Sequence, residues 1–207
     1  MLGLWQAHLT FALLAFVVLP GFGFGRLAQG LRLLLLLAVS FVSVDGLSLA
    51  AYMRSFTDDV AITTLVALAF FAAVRMGLLD APKRNVRVQL LIVMAALALF
   101  LYPATMGLSY LDPYQLGYDP RPLIVTVGVL AFGLLLLKNW LGVSMLGLAT
   151  LAFSLGLKPS PNYWDYLLDP FIALFSCGAL IGYAFRVVAR RPTKASQEQE
   201  LNQPTSL

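Results

Sequence analysis

One carboxylate stands in an otherwise apolar stretch of the chain and could carry chemistry. Asp45 lies within the run SFVSVDGLSLAAY, where its neighbours are apolar or small. A carboxylate in such surroundings is costly to charge, and it usually binds a ligand, an ion or a neighbouring helix. His8 lies at a similar distance from the start of its own apolar run, and Ser48 follows Asp45 by three positions, a spacing that shares one face of a helix. We therefore expect a polar site of Asp45, His8 and Ser48, with helix packing or contact with a second subunit as the alternatives.

Two connecting segments, SYLDPYQLGYDPRP and KPSPNYWDYLLDP, concentrate aromatic and acidic side chains. Tyrosine and tryptophan beside carboxylates are typical of surfaces that contact sugars, lipid headgroups or docking proteins. A belt of rings at a membrane surface would have the same composition. The candidate binding residues are Asp112, Tyr114, Tyr118, Asp119, Tyr163, Trp164 and Asp165.

Two of the Asp-Pro pairs in these segments have the pattern of a helix start. Aspartate caps the first turn by accepting a backbone hydrogen bond, and proline at the first helical position leaves no donor unpaired. Asp169-Pro170 and Asp119-Pro120 both precede apolar runs. We expect both aspartates to act as caps.

Several kinds of chemistry are excluded or disfavoured. The chain holds one histidine and one cysteine, so multi-histidine metal sites, catalytic triads and an internal disulfide are not expected. No nucleotide-binding or hydrolase motif is present. Asp112, Asp119 and Asp165 would make a divalent cation site only if their segments met, and we predict neither a metal nor a cofactor. The high isoelectric point comes without a basic, aromatic-interleaved domain, so nucleic acid is not an expected partner.

The composition decides the class of protein. Hydrophobic residues make up 60% of the 207 positions and charged residues 12%, far from the soluble norm of roughly a quarter charged. About seven apolar runs have lengths suited to a bilayer core of about 30 Å. They cover residues 3–24, 33–52, 60–78, 88–107, 122–137, 140–157 and 170–187. We predict an all-α, polytopic transmembrane bundle of about seven helices. In this bundle the runs 122–137 and 140–157 form a tight hairpin at Lys138-Asn139.

Charge assigns an orientation to this bundle. Of the fourteen basic residues, eleven fall in one alternate set of connections, and the other set carries most of the aspartates. By the positive-inside rule the basic set is cytoplasmic, which places the N-terminus outside and the C-terminus in the cytoplasm. Arginine greatly outnumbers lysine, as is typical of a GC-rich bacterium, so the plasma (inner) membrane is the expected location. We expect one membrane domain over residues 1–190 and a disordered cytoplasmic tail over 191–207.

Three functions fit these features. The first is a non-catalytic subunit or scaffold that engages an envelope protein through its aromatic and acidic loops. The second is a small transporter or flippase-like carrier that uses Asp45. The third is an integral enzyme that acts on a lipid or lipid-linked substrate at the outer face. The lipid bilayer is the expected surrounding in each case, and a lipid or small molecule is a possible ligand.

Overall fold

The computed structural model describes residues 4–21, 23–108, 110 and 112–189. Within these residues the chain is helical apart from one short hairpin, which confirms the all-α prediction. The α-helices are α1 Trp5–Val18, α2 Arg26–Ser40, α3 Leu49–Thr57, α4 Ile62–Arg75, α5 Arg84–Thr105, α6 Arg121–Leu136, α7 Trp140–Ser154, α8 Trp164–Leu167 and α9 Pro170–Ala189. The hairpin strands are β1 Ser43–Val44 and β2 Leu47–Ser48, and a 3-10 helix covers Pro113–Gly117.

Hydrogen bonds between distant helices establish the direction of each long helix. Arg75 at the end of α4 donates to the carbonyl of Phe16 near the end of α1 at 2.8 Å. At the other extremity, Gln6 in α1 donates to the carbonyl of Val60, just before α4. The helices α1 and α4 are therefore parallel, and α2, which runs between them in the chain, returns antiparallel to both.

The charged residues divide between the two ends of the bundle. At one end, here the basic end, the described residues include the cations Arg26, Arg32, Arg75, Lys83, Arg84, Arg87, Lys138 and Arg186. The opposite end, here the acidic end, carries Asp58, Asp59, Asp112, Asp119, Asp165 and Asp169. The acidic end also holds Arg54, Arg121 and Lys158, and Asp80 lies at the basic end, so the two ends differ in net charge.

The main apolar core lies among α4, α5, α6 and α7 and extends to the acidic end. Met94, Met145 and Leu146 fill its middle, and Trp164 closes it at the acidic end. A smaller cluster of Leu13, Phe16 and Ala72 lies between α1 and α4. The main apolar core is therefore continuous with the connections at the acidic end, which carry the candidate binding residues.

The predicted segment 33–52 is not one helix. The helix α2 ends at Ser40, and Asp45 and Gly46 form the turn of the β1–β2 hairpin before α3 begins. Both turn residues have positive φ, 49° and 84°, as a two-residue hairpin turn of type I′ requires. Because Asp-Gly adopts this turn readily, local turn chemistry overrides the apolar run.

Within the described residues, two helices are long and apolar enough to cross a membrane, α5 and α9. The other long apolar helices have 14 to 16 residues, which corresponds to about 21 to 24 Å at 1.5 Å per residue. The helices α1, α4, α5, α6, α7 and α9 each correspond to one predicted run, whereas the run 33–52 covers the end of α2, the hairpin and the start of α3. The seven-span bundle itself stays a prediction, and the predicted tail 191–207 lies outside the described residues.

The tight hairpin between α6 and α7 is confirmed, and Asn139 explains its geometry. Lys138 turns the chain with a positive φ of 57°. The buried side chain of Asn139 then accepts from the backbone of Gly142 at 3.0 Å, which caps α7. Its amide donates to the carbonyl of Val86 in α5 at 2.9 Å. One side chain thus starts a helix and attaches it to a neighbouring one.

We expect Asn139→Ser to retain the helix cap but to lose the bond to α5, and Asn139→Ala to lose both. The alanine variant should be less stable than the wild type by about 2 to 3 kcal/mol, with the serine variant between them. Thermal unfolding of the purified protein in detergent measures this order. Asn85→Ser, the same change at an exposed position of α5, is the control and should fall within about 0.5 kcal/mol of the wild type. Equal melting temperatures for Asn139→Ser and the wild type would contradict the role of the amide.

Candidate functional site

A cavity of about 700 Å³ opens at the acidic end. The end of α3 and the residues after it form one wall, and the end of α5 forms another. The third wall belongs to the aromatic cap, which we define as residues 112–118 and 158–169. The cap includes the 3-10 helix and α8, and it packs over the ends of the core helices.

Asn162 and Trp164 hold the two parts of the cap together. Both side chains are fully buried or nearly so. The Trp164 indole donates to the carbonyl of Pro113 at 2.8 Å. The Asn162 amide donates to the carbonyl of Tyr114 at 3.1 Å, while its oxygen accepts from the backbone of Trp164 at 2.9 Å. The buried polar atoms of this joint are therefore paired inside the protein.

Gly117 makes this close approach possible. A Cβ atom built on Gly117 would lie 1.7 Å from the Asn162 side-chain oxygen and 2.9 Å from the Trp164 ring. Because Asn162 is held by hydrogen bonds on both sides, it has little freedom to move away. Glycine at this position is a requirement of packing between the two segments.

Lys158 joins the cap to the connection between α3 and α4. Its side chain is 7% exposed. The ammonium donates to three carbonyl oxygens, those of Asp59 at 2.9 Å, Val60 at 3.1 Å and Asp165 at 2.7 Å. Burial lowers the pKa of Lys158, and the negative charge of Asp165 and nearby aspartates opposes that shift. All three N–H donors are used, so Lys158 acts as a structural link between segments.

Asp169 makes a second connection between distant parts of the chain. One carboxylate oxygen accepts from the backbone of Ala61, before α4, and the other accepts from the backbone of Ile172 in α9, each at 2.8 Å. The predicted role of Asp169-Pro170 in starting a helix is confirmed for α9. The Asp169 side chain also accepts a backbone hydrogen bond at the start of α4. The corresponding prediction for Asp119 is wrong, because α6 begins without a side-chain cap.

Asp165 is surrounded by hydroxyl groups. The Tyr114 hydroxyl donates to its carboxylate at 3.1 Å, and the Ser160 hydroxyl donates to the same group. Burial raises the pKa of Tyr114, and the negative charge and hydrogen bond of Asp165 raise it further. Tyr114 therefore remains a neutral hydrogen-bond donor at ordinary pH.

Asp58 and Asp59 lie on the opposite wall. Arg54 pairs with one oxygen of Asp59 at 2.7 Å, and the other oxygen is buried and has no hydrogen-bond partner among the described residues. Asp58 is exposed, has a positive φ of 55° and accepts from the backbone of Asp59 at 2.8 Å. Asp58 is therefore the exposed carboxylate of this wall.

The cavity has more negative than positive side chains. Among the described residues, four aspartates line it, against one arginine and one lysine, so their formal charge is −2. Tyrosine and tryptophan side chains are also among its lining residues. Such a cavity can accept a cationic group, which the carboxylates attract and the faces of aromatic rings also favour. Of the described residues, no group of three or more His, Cys, Asp or Glu side chains has the arrangement of a metal site.

The predicted loop residues fall into three sets. Tyr114, Trp164 and Asp165 line the cavity together, as expected for a shared site. Asp112 instead accepts from the backbone of Tyr114 and starts the 3-10 helix, and Tyr163 is buried with its hydroxyl 2.6 Å from that of Thr150.

Tyr118 and Asp119 make up the third set. Both are exposed and are not among the residues that line the cavity, although the Tyr118 ring contacts that of Tyr114 edge to face. Asp112, Asp119 and Asp165 therefore do not converge on one cation position.

The predicted site of Asp45, His8 and Ser48 is not assembled. Asp45 is exposed in the hairpin turn, and Ser48 caps α3 by accepting from the backbone of Ala51. The buried His8 ring stacks on Phe41 and bonds to Ser40 through Nδ1 at 2.9 Å. Since Ser40 donates its own proton to a carbonyl of α2, we assign the hydrogen of this bond to His8 Nδ1.

Sequence reasoning did not select Lys158, Asp59, Asn162 or Ser160 as site residues. Lys158 lies between apolar runs and close to Asp165 and Asp169 in the chain, a position in which a lysine can be buried as a link between segments. The pairing of Asp59 with Arg54 follows from proximity in the chain. The contacts of Asn162 and Ser160 depend on the folded connection and have no clear signal in the sequence.

We expect Lys158→Met to destabilise the protein by about 3 kcal/mol, because three carbonyl oxygens lose a buried donor while the volume is retained. The expected result is a lower melting temperature of the purified protein. Lys83→Met, at an exposed position of the basic end, is the matched control and should melt like the wild type. A Lys158→Met protein as stable as this control would show that the link is dispensable.

No family model matches the chain, and no curated protein or solved structure shows significant similarity to it.

Proposed function

We propose that the chain is a multi-pass integral membrane protein of a bacterial plasma membrane. The support comes from how little of α5 and α9 is buried. Only 28% of the apolar window of α5 and 17% of that of α9 lie inside the protein. The core helix of a soluble protein would bury most of such a window, whereas a lipid-facing helix exposes it.

Other helices also present apolar side chains outward. Large apolar residues are exposed on α2, α6 and α9, with Leu27, Val129 and Leu174 among the most exposed. Water would disfavour so many exposed apolar groups, and lipid would not. The paired polar groups of the aromatic cap fit the same surroundings, since polar backbone at the membrane boundary needs internal partners.

The charge separation supports the orientation. The basic end would face the cytoplasm and the acidic end the outside, in accordance with the positive-inside rule. The long helices alternate in direction, so seven spans would place the N-terminus outside and the C-terminus in the cytoplasm. The shorter helices would complete their spans with the packed connections at either end.

Within this membrane protein we propose that the acidic cavity binds a basic segment of an envelope protein, which makes the chain a non-catalytic subunit or scaffold. The net charge of −2 in an aromatic-lined cavity is the observation that carries this proposal. The groups most suited to catalysis are engaged elsewhere: Lys158 in three carbonyl bonds, Asp169 in two helix starts and Asp165 with two hydroxyls. Asp58, exposed at the cavity wall, remains for a partner to contact.

The carrier and enzyme hypotheses have less support. The carrier hypothesis depended on Asp45 within a membrane helix, and this residue lies in an exposed hairpin turn. The enzyme hypothesis depended on free carboxylates and tyrosines at the acidic end. Its main candidates there, Asp165 and Tyr114, bond to each other.

The test compares Asp58→Asn with wild-type protein, both tagged and expressed in the native host. Asparagine has nearly the shape of aspartate and retains the oxygen that accepts from Asp59, so the substitution removes the charge alone. Membranes are washed with alkaline carbonate, the protein is purified in mild detergent, and co-purifying proteins are quantified by mass spectrometry. We expect a stoichiometric partner with a basic exposed segment, retained about fivefold less by Asp58→Asn, which corresponds to about 1 kcal/mol.

Asp119→Asn is the matched control, since Asp119 is exposed at the same end outside the cavity. It should retain the partner like the wild type. Absence of a stoichiometric partner, or equal retention by both variants, would contradict the proposed binding function. Release of the protein from the membranes by carbonate would contradict membrane integration. This result is separate from the result on partner retention.

A further inference from the structure

A second cavity, of about 650 Å³, lies at the opposite end of the bundle between α5 and α9. Its deeper walls are apolar and include the buried residues Leu90, Met94 and Met145. Its volume is within the range of about 300 to 1,000 Å³ that is usual for small-molecule sites. This second cavity, here called the groove, shares none of its lining residues with the acidic cavity.

Two glycines of α9 keep the groove open. Gly178 and Gly182 are spaced four residues apart, a pattern that often marks close contact between helices. Here a Cβ atom at either position would meet nothing within 4 Å. The missing side chains therefore leave space in the groove, and no helix of the described chain fills it.

Three arginines stand at the basic end of the groove. Arg84 and Arg87 belong to the first turn of α5, and Arg186 belongs to the last part of α9. The Arg84 guanidinium is held over the Tyr183 ring, 4.8 Å from its centroid. In the described part of the chain, no aspartate or glutamate lines this cavity. The complementary ligand has an anionic head beside an apolar tail.

The dimensions of the groove suit a lipid of one leaflet. From Arg186 back to Ile172 the groove follows α9 for fourteen residues, or about 21 Å. Half the hydrocarbon core of a bilayer is about 15 Å thick, so a chain that starts near the arginines would reach the midplane within the groove. A soluble anion would use the arginines alone and leave the apolar walls empty.

We propose that this groove binds one anionic phospholipid from the leaflet at the basic end, with its phosphate at Arg84, Arg87 and Arg186 and an acyl chain beside Gly178 and Gly182. The proposal rests on the membrane part of the proposed function and is independent of the protein partner. The bound lipid would fill space between α5 and α9 and couple the two longest helices to the leaflet.

The test is native mass spectrometry of the detergent-purified protein with added phosphatidylglycerol, phosphatidylcholine or inorganic phosphate. We expect one phosphatidylglycerol to bind at least fivefold more tightly than phosphatidylcholine. Gly182→Leu should abolish this binding by filling the groove, whereas Gly147→Leu, at an open exposed glycine of α7, should not.

Two arginine variants keep the test decisive if Gly182→Leu fails to fold. Arg186→Gln should weaken phosphatidylglycerol binding about fivefold, as expected for loss of one basic contact with an anionic headgroup. Arg121→Gln, at the acidic end, should leave it unchanged.

Equal binding of both lipids, binding unaffected by Gly182→Leu and Arg186→Gln, or phosphate binding as tight as that of the lipid would each overturn the proposal. In all three cases a protein that stays in carbonate-washed membranes leaves the proposed function standing.

Discussion

The acidic end of the protein depends on one buried cation. The Lys158 ammonium donates hydrogen bonds to carbonyl oxygens of two segments about a hundred residues apart in the chain, and so holds the cap against the start of α4. A buried ammonium loses several kcal/mol of hydration, and this cost is offset only when its donors are paired and anions are near. Here three carbonyls and the adjacent aspartates supply both. The cavity beside Lys158 is consequently a fixed feature of the fold.

Asp169 and Asn162 also link segments through buried hydrogen bonds. Asp169 divides its two oxygens between helices α4 and α9, and Asn162 connects the two parts of the cap. These polar side chains are buried because they satisfy backbone groups at helix ends, which have no partners within their own helices. Their commitment to structure explains why an end so rich in carboxylates offers few free groups for catalysis.

The two ends of the bundle are suited to different ligands. The acidic end combines negative charge with aromatic walls, and the basic end combines three arginines with an apolar groove. Between them the apolar surface of α5 and α9 is largely unburied. A protein partner outside and a lipid inside would both be recognised by charge, with opposite sign, across one membrane.

Much of the fold was predictable because its signals are local. Apolar runs indicated α1, α4, α5, α6, α7 and α9 but not the bounds of α2, and Lys138-Asn139 indicated the tight turn between α6 and α7. Asp45 was misjudged because an Asp-Gly turn signal lay within an apolar run and was given less weight than hydropathy.

The site was predictable only in part. Tyr114, Trp164 and Asp165 could be selected by residue type, since they share a composition that favours binding surfaces. The links through Lys158 and Asn162 depend on which backbone groups meet after folding, and residue type does not reveal that. Asp119 illustrates the converse: its Asp-Pro pair has the right local pattern, yet the helix begins without its side chain.

If the aromatic cap is an ordered wall of the cavity, hydrogen exchange of the protein in lipid nanodiscs will show protection there. The backbone amides of Tyr163, Trp164, Tyr166 and Leu168 are all hydrogen-bonded within the cap. We expect the peptide covering residues 163–168 to exchange at least about tenfold more slowly, relative to intrinsic rates, than the exposed connection 79–83. Equal protection factors for the two peptides would mean that the cap opens freely, and that the cavity it encloses is not a preformed site.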